Sequence, residues 1–275
     1  MRITIWGSRG SLAAPGPDTI RYGGNTACVQ VDAFDGSVAI LDAGTGMRHA
    51  GLRLAGDGRP IHVLLTHLHM DHIQGLGFFR PLFEPGREVH VWGPPSTTRN
   101  LRARLTRYLS PPLFPVRLRD LPSKVELHDV EPEPWSVGAF RVTAAGVIHP
   151  GPTVGYRLEA DGAALAYLPD HEPRLGSDLL DPAWTSGFEL ARDVNVLLHD
   201  GQFGDEEYAR RVGWGHSSVT HAARLADLSQ ARELLLIHHD PDHADAVVDE
   251  LVAVAAAERR SGTVRAASEG LALQL

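Results

Sequence analysis

The chain has one cysteine, Cys28, so no intramolecular disulfide braces it, and that cysteine lies in a TACVQV run that reads as a buried strand. It has one lysine, Lys124, and a formal net charge of −8. That balance argues against broad binding to nucleic acid, where basic side chains neutralising phosphates dominate affinity. No uninterrupted apolar run approaches the roughly 20 residues that a membrane-spanning helix needs. The opening MRITIWGSRG also lacks the charged-then-apolar pattern of a signal peptide. The expectation is a cytoplasmic protein with no membrane partner. Long Ser-, Pro- or Gly-rich linkers and short-period repeats are missing too. The 275 residues, 43% hydrophobic, therefore read as one domain, 1–275, with enough apolar side chains for one sizeable core.

What is present is concentrated histidine. Residues 67 to 72 read HLHMDH, directly after the apolar run 61 to 66, IHVLLT, so three imidazoles and a carboxylate stand where a buried strand ends. Neutral imidazole and carboxylate are the donors that zinc and its borderline neighbours prefer. Alternate residues of an extended segment point the same way, so His67 and His69 can aim at one point. Asp71 and His72 open the next helix and can face a second. Four more residues, His149, Asp170, His216 and His238, follow strand-like runs: FRVTAAGVIH, AALAYLPD, NVLLHDGQF and ELLLIHH. Ligand sites in layered folds gather at such strand ends. Helical patterns are expected over 44–55, 217–228 and 242–260, the last presenting Val247, Leu251 and Val254 to a core.

On these residues the chain resembles the metallo-β-lactamase fold superfamily, whose binuclear centre is built from HxHxDH, a later His, a later Asp and a final His. The resemblance extends from GSRGS and YGGNT, through LDAGTG, to GHSS, HHDP and the closing EGLALQL. It implies an α/β fold, a four-layered αββα sandwich, with a family-specific insertion at about 78–122. It also implies that His67, His69 and His149 bind one metal, that Asp71, His72 and His238 bind another, and that Asp170 bridges them. The cofactors are then two divalent ions, zinc by preference, with manganese or iron accepted according to supply. Within the superfamily the chain is similar to the phosphodiesterase branch of ribonuclease Z, the phosphoribosyl cyclic phosphodiesterases and enzymes that open cyclic mononucleotides. Carried over from that branch, Asp200 orients and charges His216, and His216 is the general acid. Such help is worth roughly a hundred- to ten-thousandfold in rate.

The expected chemistry follows. Two divalent ions sharing a water lower its pKa toward neutrality, Asp71 holds the resulting nucleophile in line with phosphorus, and His216 protonates the departing oxygen. Ser217 or Ser218 reads as the N-cap of the following helix, whose amides could face a phosphate oxygen. His238 rather than its neighbour His239 is taken as the ligand, leaving His239 to line the mouth. Asp42 is expected to support a ligand imidazole. His171, His199, His221 and His243 are expected as surface or loop histidines. Specificity is expected in 78–122 and near Tyr22 to Asn25.

The leading expectation is a binuclear phosphodiesterase acting on a small cyclic phosphate, with a homodimer as the commonest closed assembly. Alternatives are a ribonuclease Z-like RNA endonuclease, a hydrolase of a lactone, thioester or β-lactam, a redox protein with iron, and a non-catalytic binding module. The chain shows no long Gly-rich arm of the kind with which ribonuclease Z grips tRNA. Arg99, Arg102, Arg104 and Arg107 cluster between Pro95 and Pro111 and could cover the site, contact a nucleotide, form a subunit interface or simply face solvent.

Overall fold

The computed structural model describes residues 1–176 and 180–275. Short apolar, β-branched runs form the strands. The first half of the chain supplies β1 (Arg2–Gly7), β2 (Cys28–Asp32), β3 (Val38–Leu41), β4 (Ile61–Leu64), β5 (Glu88–Gly93) and β6 (Lys124–Asp129). The second half supplies β7 (Trp135–Val137), β8 (Phe140–Gly146), β9 (Val154–Ala160), β10 (Ala163–Leu168), β11 (Val196–Asp200), β12 (Glu233–Ile237) and β13 (Thr263–Ala266). A last strand, β14 (Ala272–Gln274), returns to the first sheet beside β1. Among the described residues the sheets run β14-β1-β2-β3-β4-β5-β6 and β13-β12-β11-β10-β9-β8-β7.

The sheets pack face to face through Ile3, Ile5, Val29, Leu41, Leu64, Phe140, Tyr156, Leu165, Leu198 and Leu235, all fully buried. The outer face of the first sheet is covered by α1 (Met47–Leu54), the short α2 (Met70–Ile73) and α3 (Leu101–Tyr108), through Met47, Leu54, Ile73, Leu101 and Leu105. The second is covered by α4 (Phe188–Ala191) and α6 (Val219–Leu228), with α5 (Asp205–Tyr208) beside them and α7 (Asp245–Glu258) outside. This is the four-layered αββα sandwich. Each fully buried Leu or Ile contributes roughly 1.5–3 kcal/mol relative to exposure, so the three apolar layers hold the sheets in register.

The topology gathers strand ends. β3, β4 and β5 are parallel, as are β10, β11 and β12, and β8 runs with β10 because each pairs antiparallel with β9. Their C-terminal ends form one rim, where a layered fold leaves a crevice.

Some expectations shift. The segment 78–122 includes β5, a full member of the first sheet, followed after Gly93 by α3. Its helix α3 buries Leu101, Leu105 and Tyr108 and leaves Arg102 and Arg107 exposed. Arg104 is instead held by the Pro94 carbonyl and Asp129. The buried stripe of α7 is Val248 and Ala255 flanked by Leu251 and Val252, while Val254 is 46% exposed. The inward face is thus turned from the expected Val247, Leu251 and Val254. Positions 248, 251, 252 and 255 follow the i, i+3, i+4, i+7 spacing of one helical face. Cys28 is fully buried in β2, as its run implies.

Candidate metal centre

β4 ends at Leu64, and Leu65 and Thr66 carry the chain over the rim so that His67 and His69 approach one another with ring centroids 4.4 Å apart. His69 is the N-cap of α2, which turns Asp71 and His72 toward a second point. From the other sheet come His149 after β8, Asp170 after β10 and His238 after β12. All seven meet. His67, His69, His149 and Asp170 form one group of donor atoms within 4.8 Å of one another, and Asp71, His72, Asp170 and His238 form another.

Asp170 stands in both groups, one oxygen to each. Its Oδ2 lies 3.5 Å from His67 Nε2 and 3.7 Å from His149 Nε2, and His149 Nε2 lies 3.3 Å from His69 Nδ1. Its Oδ1 lies 3.1 Å from both His72 Nε2 and His238 Nε2. Asp71 Oδ2 lies 3.1 and 3.2 Å from those same two nitrogens. Donors of a tetrahedral ion with bonds of about 2.0–2.2 Å stand roughly 3.3–3.6 Å from each other, so both groups have the spacing of a coordination shell.

The rings are held by their far nitrogens. His72 Nδ1 donates to Asp42 Oδ2 at 2.8 Å, His149 Nδ1 to the Gly215 carbonyl at 2.9 Å and His238 Nδ1 to Gln202 Oε1 at 3.2 Å. His67 Nδ1 pairs with Thr66 Oγ1 at 3.1 Å, and Thr66 is itself fixed by Asp42. Each bond sets the tautomer and turns Nε2 inward, the arrangement on which metal-binding imidazoles depend. Asp42 reaches His72 from a left-handed backbone, φ 57°, beyond β3.

The electrostatics suit a cation. Burial pushes His67, His69 and His149 below the usual imidazole range, toward the neutral form that offers a lone pair. Burial alone would raise Asp170, but His238, His72 and His67 outweigh it and hold the carboxyl low; His72 and His238 do the same for Asp71. His72, despite burial, is pushed well above its usual range by Asp170, Asp71 and Asp42. His67 Nε2 and Asp170 Oδ1 are buried with no hydrogen-bond partner among the described residues. Two carboxylates converging on inward-facing imidazoles, with two buried lone-pair atoms left without a hydrogen, fit divalent ions.

Beside this cluster stands His216. Its Nδ1 donates to Asp200 Oδ2 at 2.7 Å, and its ring stacks on His238 with centroids 5.0 Å apart. Burial opposes charge on this imidazole, but Asp200 outweighs it and lifts the pKa to about 9.

The beta-lactamase superfamily domain model matches residues 39–239, a span that contains the seven residues of the two donor groups together with Asp200 and His216. The chain belongs to that superfamily. It is 28% identical to the ribonuclease Z of Myxococcus xanthus (strain DK1622), over 86% of this chain and 88% of that one. It is 33% identical to the protein ML1173 of Mycobacterium leprae (strain TN), over 88% and 78%. The metallo-beta-lactamase fold protein YhfI from Bacillus subtilis superposes with a TM-score of 0.73 at 19% identity, over 99% of each chain, a likeness of fold. As a superfamily member the chain is a metal-dependent hydrolase.

Several side chains of this superfamily member do more than their sequence context suggested. Glu172, fully buried, accepts from the amides of Gly213 and Gly215 and from the Tyr208 hydroxyl. It thereby fixes the loop that carries both His216 and the carbonyl holding His149. Gln202 orients His238, and the Ser11 amide donates to Asp71 Oδ2 at 2.9 Å. The opening GSRGS is shaped by proximity: a Cβ on Gly10 would lie 2.2 Å from His238 Nδ1. Gly215, at φ 86°, combines a left-handed backbone with a Cβ position 2.4 Å from His149 Nδ1.

Two expectations about histidines are corrected. His239 does not line a mouth: it is buried, with Nε2 donating to the Ala267 carbonyl. It follows β12 after His238 has turned left-handed, φ 64°, which separates the two rings. His171 and His243 lie in loops, as expected, but are buried; His199 in β11 and His221 in α6 are buried in regular structure, and none of the four joins the two donor groups. His171 Nδ1 and His199 Nε2 pair at 2.8 Å, which gives each buried ring one partner, and His199 Nδ1 donates to the Asp200 carbonyl. Ser218 is the N-cap of α6, accepting from the His221 amide, and two further amides of the turn already have partners. Ser217 N–H is taken by Asp200 and Val219 N–H by the Phe203 carbonyl. Tyr22 to Asn25 form an internal clasp, with Tyr22 on Asp249, Asn25 on Glu269 and the Gly23 carbonyl on buried Arg9. Among the described residues no helix is long and apolar enough to cross a membrane.

Proposed function

We propose that the chain is a phosphodiesterase that opens a small cyclic phosphate ester, a cyclic nucleotide or cyclic ribose phosphate. His67, His69 and His149 would hold one divalent ion and Asp71, His72 and His238 a second, with Asp170 shared. When bound, such ions supply Lewis acidity to the phosphate oxygens and lower the pKa of a water, zinc being the ion best matched to this donor set. The chain's own residues do the rest. Asp71, anchored by the Ser11 amide, is placed to orient the incoming water. His216, its Nδ1–H held by Asp200, gives the proton from Nε2 to the ring oxygen as its bond to phosphorus breaks. Water adds to phosphorus, the departing oxygen stays tethered, and the product is a linear monophosphate. We place the whole reaction in one domain, because each donor group draws on both sheets.

The observation that carries this reading is the Asp200–His216 pair, 2.7 Å apart and stacked against His238. A phosphodiester alkoxide leaves badly unless protonated, whereas the alternatives built on lactones or thioesters have less need of an acid there. The likeness to a ribonuclease Z favours a second reading, cleavage of RNA, against which the net charge of −8 stands.

The test is a hydrolysis screen of 2′,3′- and 3′,5′-cyclic nucleotides, cyclic dinucleotides, phosphoribosyl 1,2-cyclic phosphate and precursor tRNA, with zinc and with manganese. Turnover of a cyclic monophosphate with precursor tRNA left intact is expected. Cleavage of precursor tRNA alone would install the second reading, and turnover of lactones or thioesters alone would remove both.

A further inference from the structure

We propose that His90, Glu126 and His128 form a separate metal site, on the inner face of the first sheet near its edge strand, that takes one divalent ion of the zinc, nickel or copper class. The strand register builds it. β4, β5 and β6 are parallel, with His62 opposite His90, His90 opposite Glu126 and Trp92 opposite His128. Residues two apart on a strand share a face, so His90, Glu126 and His128 point the same way.

His90 Nδ1 and His128 Nε2 are 3.2 Å apart, and Glu126 Oε2 lies 3.5 Å from the first and 3.8 Å from the second. A hydrogen bond between the two rings accounts for the shortest of these separations. It does not account for a carboxylate oxygen capping the same two nitrogens. Three donors at these spacings match three corners of a tetrahedron around an ion with bonds of about 2.0–2.2 Å, whose edges are roughly 3.3–3.6 Å. Two imidazoles and one carboxylate are also a donor set suited to zinc, nickel and copper rather than to calcium or magnesium.

The surroundings favour a bound cation. His62 stacks on His90 at 4.7 Å and Trp92 on His128 at 4.1 Å, so both rings are held flat by neighbours. His62 Nδ1 is buried with no hydrogen-bond partner among the described residues. His128 also lines a cavity of ≈ 530 Å³ shared with Trp92, Asp129, Glu131, Glu133 and Trp135. Its acidic rim attracts cations, and the opening leaves room for water to complete the coordination shell.

This site shares no residue with the cluster at the strand ends, so the two can be tested apart. The full-length protein, stripped with chelator, is titrated with Zn²⁺ and with Co²⁺; bound metal is counted after desalting, and the visible bands of Co²⁺ are recorded. The wild type is expected to bind one equivalent more than either His128→Gln or His90→Ala, with hydrolytic activity alike in all three. In His67→Ala the equivalent at His90 and His128 should persist, and the imidazole ¹⁵N signals of those two residues should shift on adding Zn²⁺. Equal equivalents in wild type and His128→Gln, with those signals unmoved, would overturn the proposal. Failure of the hydrolysis scheme would instead appear in the His67→Ala comparison.

Discussion

The first sheet supplies its share of the rim cluster from one stretch, His67, His69, Asp71 and His72, hung on the end of β4; the second supplies His149, Asp170 and His238 singly, from loops after β8, β10 and β12. The bracing follows the same division. On the first side one carboxylate, Asp42, holds His72 and Thr66 together. On the second each histidine has its own support: Gly215 for His149, Gln202 for His238, Asp200 for His216, with Glu172 behind the Gly215 loop. A compact motif is positioned by a compact brace. Scattered residues need a distributed one, and the distributed side also carries the proposed acid.

The sharpest way to break the compact side is Asp71→Ala. Asp71 Oδ2 faces His72 and His238, so its loss leaves two buried imbalances at once. Activity should fall to background and bound metal should drop, as read by metal analysis of the desalted protein. A fully active variant would exclude the two-ion scheme. Next comes His216→Ala on the distributed side, where turnover should fall roughly a hundred- to ten-thousandfold while metal content stays at the wild-type value. Loss of metal along with activity would make His216 a ligand rather than an acid.

How far the sequence discloses each side follows from the same contrast. HLHMDH is readable because its donors are contiguous and follow an apolar strand, and Asp42 because it closes another such strand. His149, Asp170 and His238 are readable only as a set, each ending an apolar run, and the sandwich that gathers them is implied by a resemblance rather than by periodicity. Glu172 carries no such signal: a lone acid before a proline reads as exposed loop, and its role depends on two glycine amides more than forty residues away. The buried histidines were hidden by the general tendency of polar residues to face solvent. His171 and His199 are buried beside each other, each giving one ring nitrogen to the other. The turned face of α7 and the left-handed turn at His238 are likewise settled by tertiary packing, which a local pattern does not contain.

The braces allow a finer comparison. Asp42→Asn keeps the shape but weakens the charge-assisted bond to His72, and loss of an outer partner of this kind typically costs about 10- to 100-fold in metal affinity. Competition with a chelator of known affinity measures it, and an unchanged affinity would mean that Thr66 and packing alone hold the ring. Glu172→Gln probes the distributed brace. Gln offers a donor where Gly213, Gly215 and Tyr208 all present hydrogens, so the loop should loosen. The expected effect is a fall of about tenfold in kcat, at the lower end of that range, with KM little changed, because the loop carries the acid. A rise in KM with kcat intact would assign Glu172 to substrate binding instead.

The smallest expected effect separates fold from function on the distributed side. Ser218 caps α6 by accepting from the His221 amide, and α6 packs beneath β11 and β12, the strands that deliver Asp200 and His238. Replacing a capping serine by alanine costs about 1 kcal/mol of stability. The Ser217, Val219 and His221 amides of this turn are already committed to Asp200, Phe203 and Ser218, so those three are not offered to a phosphate oxygen. Ser218→Ala should therefore lower the midpoint of chemical denaturation while leaving kcat and KM at their wild-type values below it. A rise in KM without loss of stability would return the helix start to the substrate site, and would mean that the division between brace and chemistry has been drawn one residue too early.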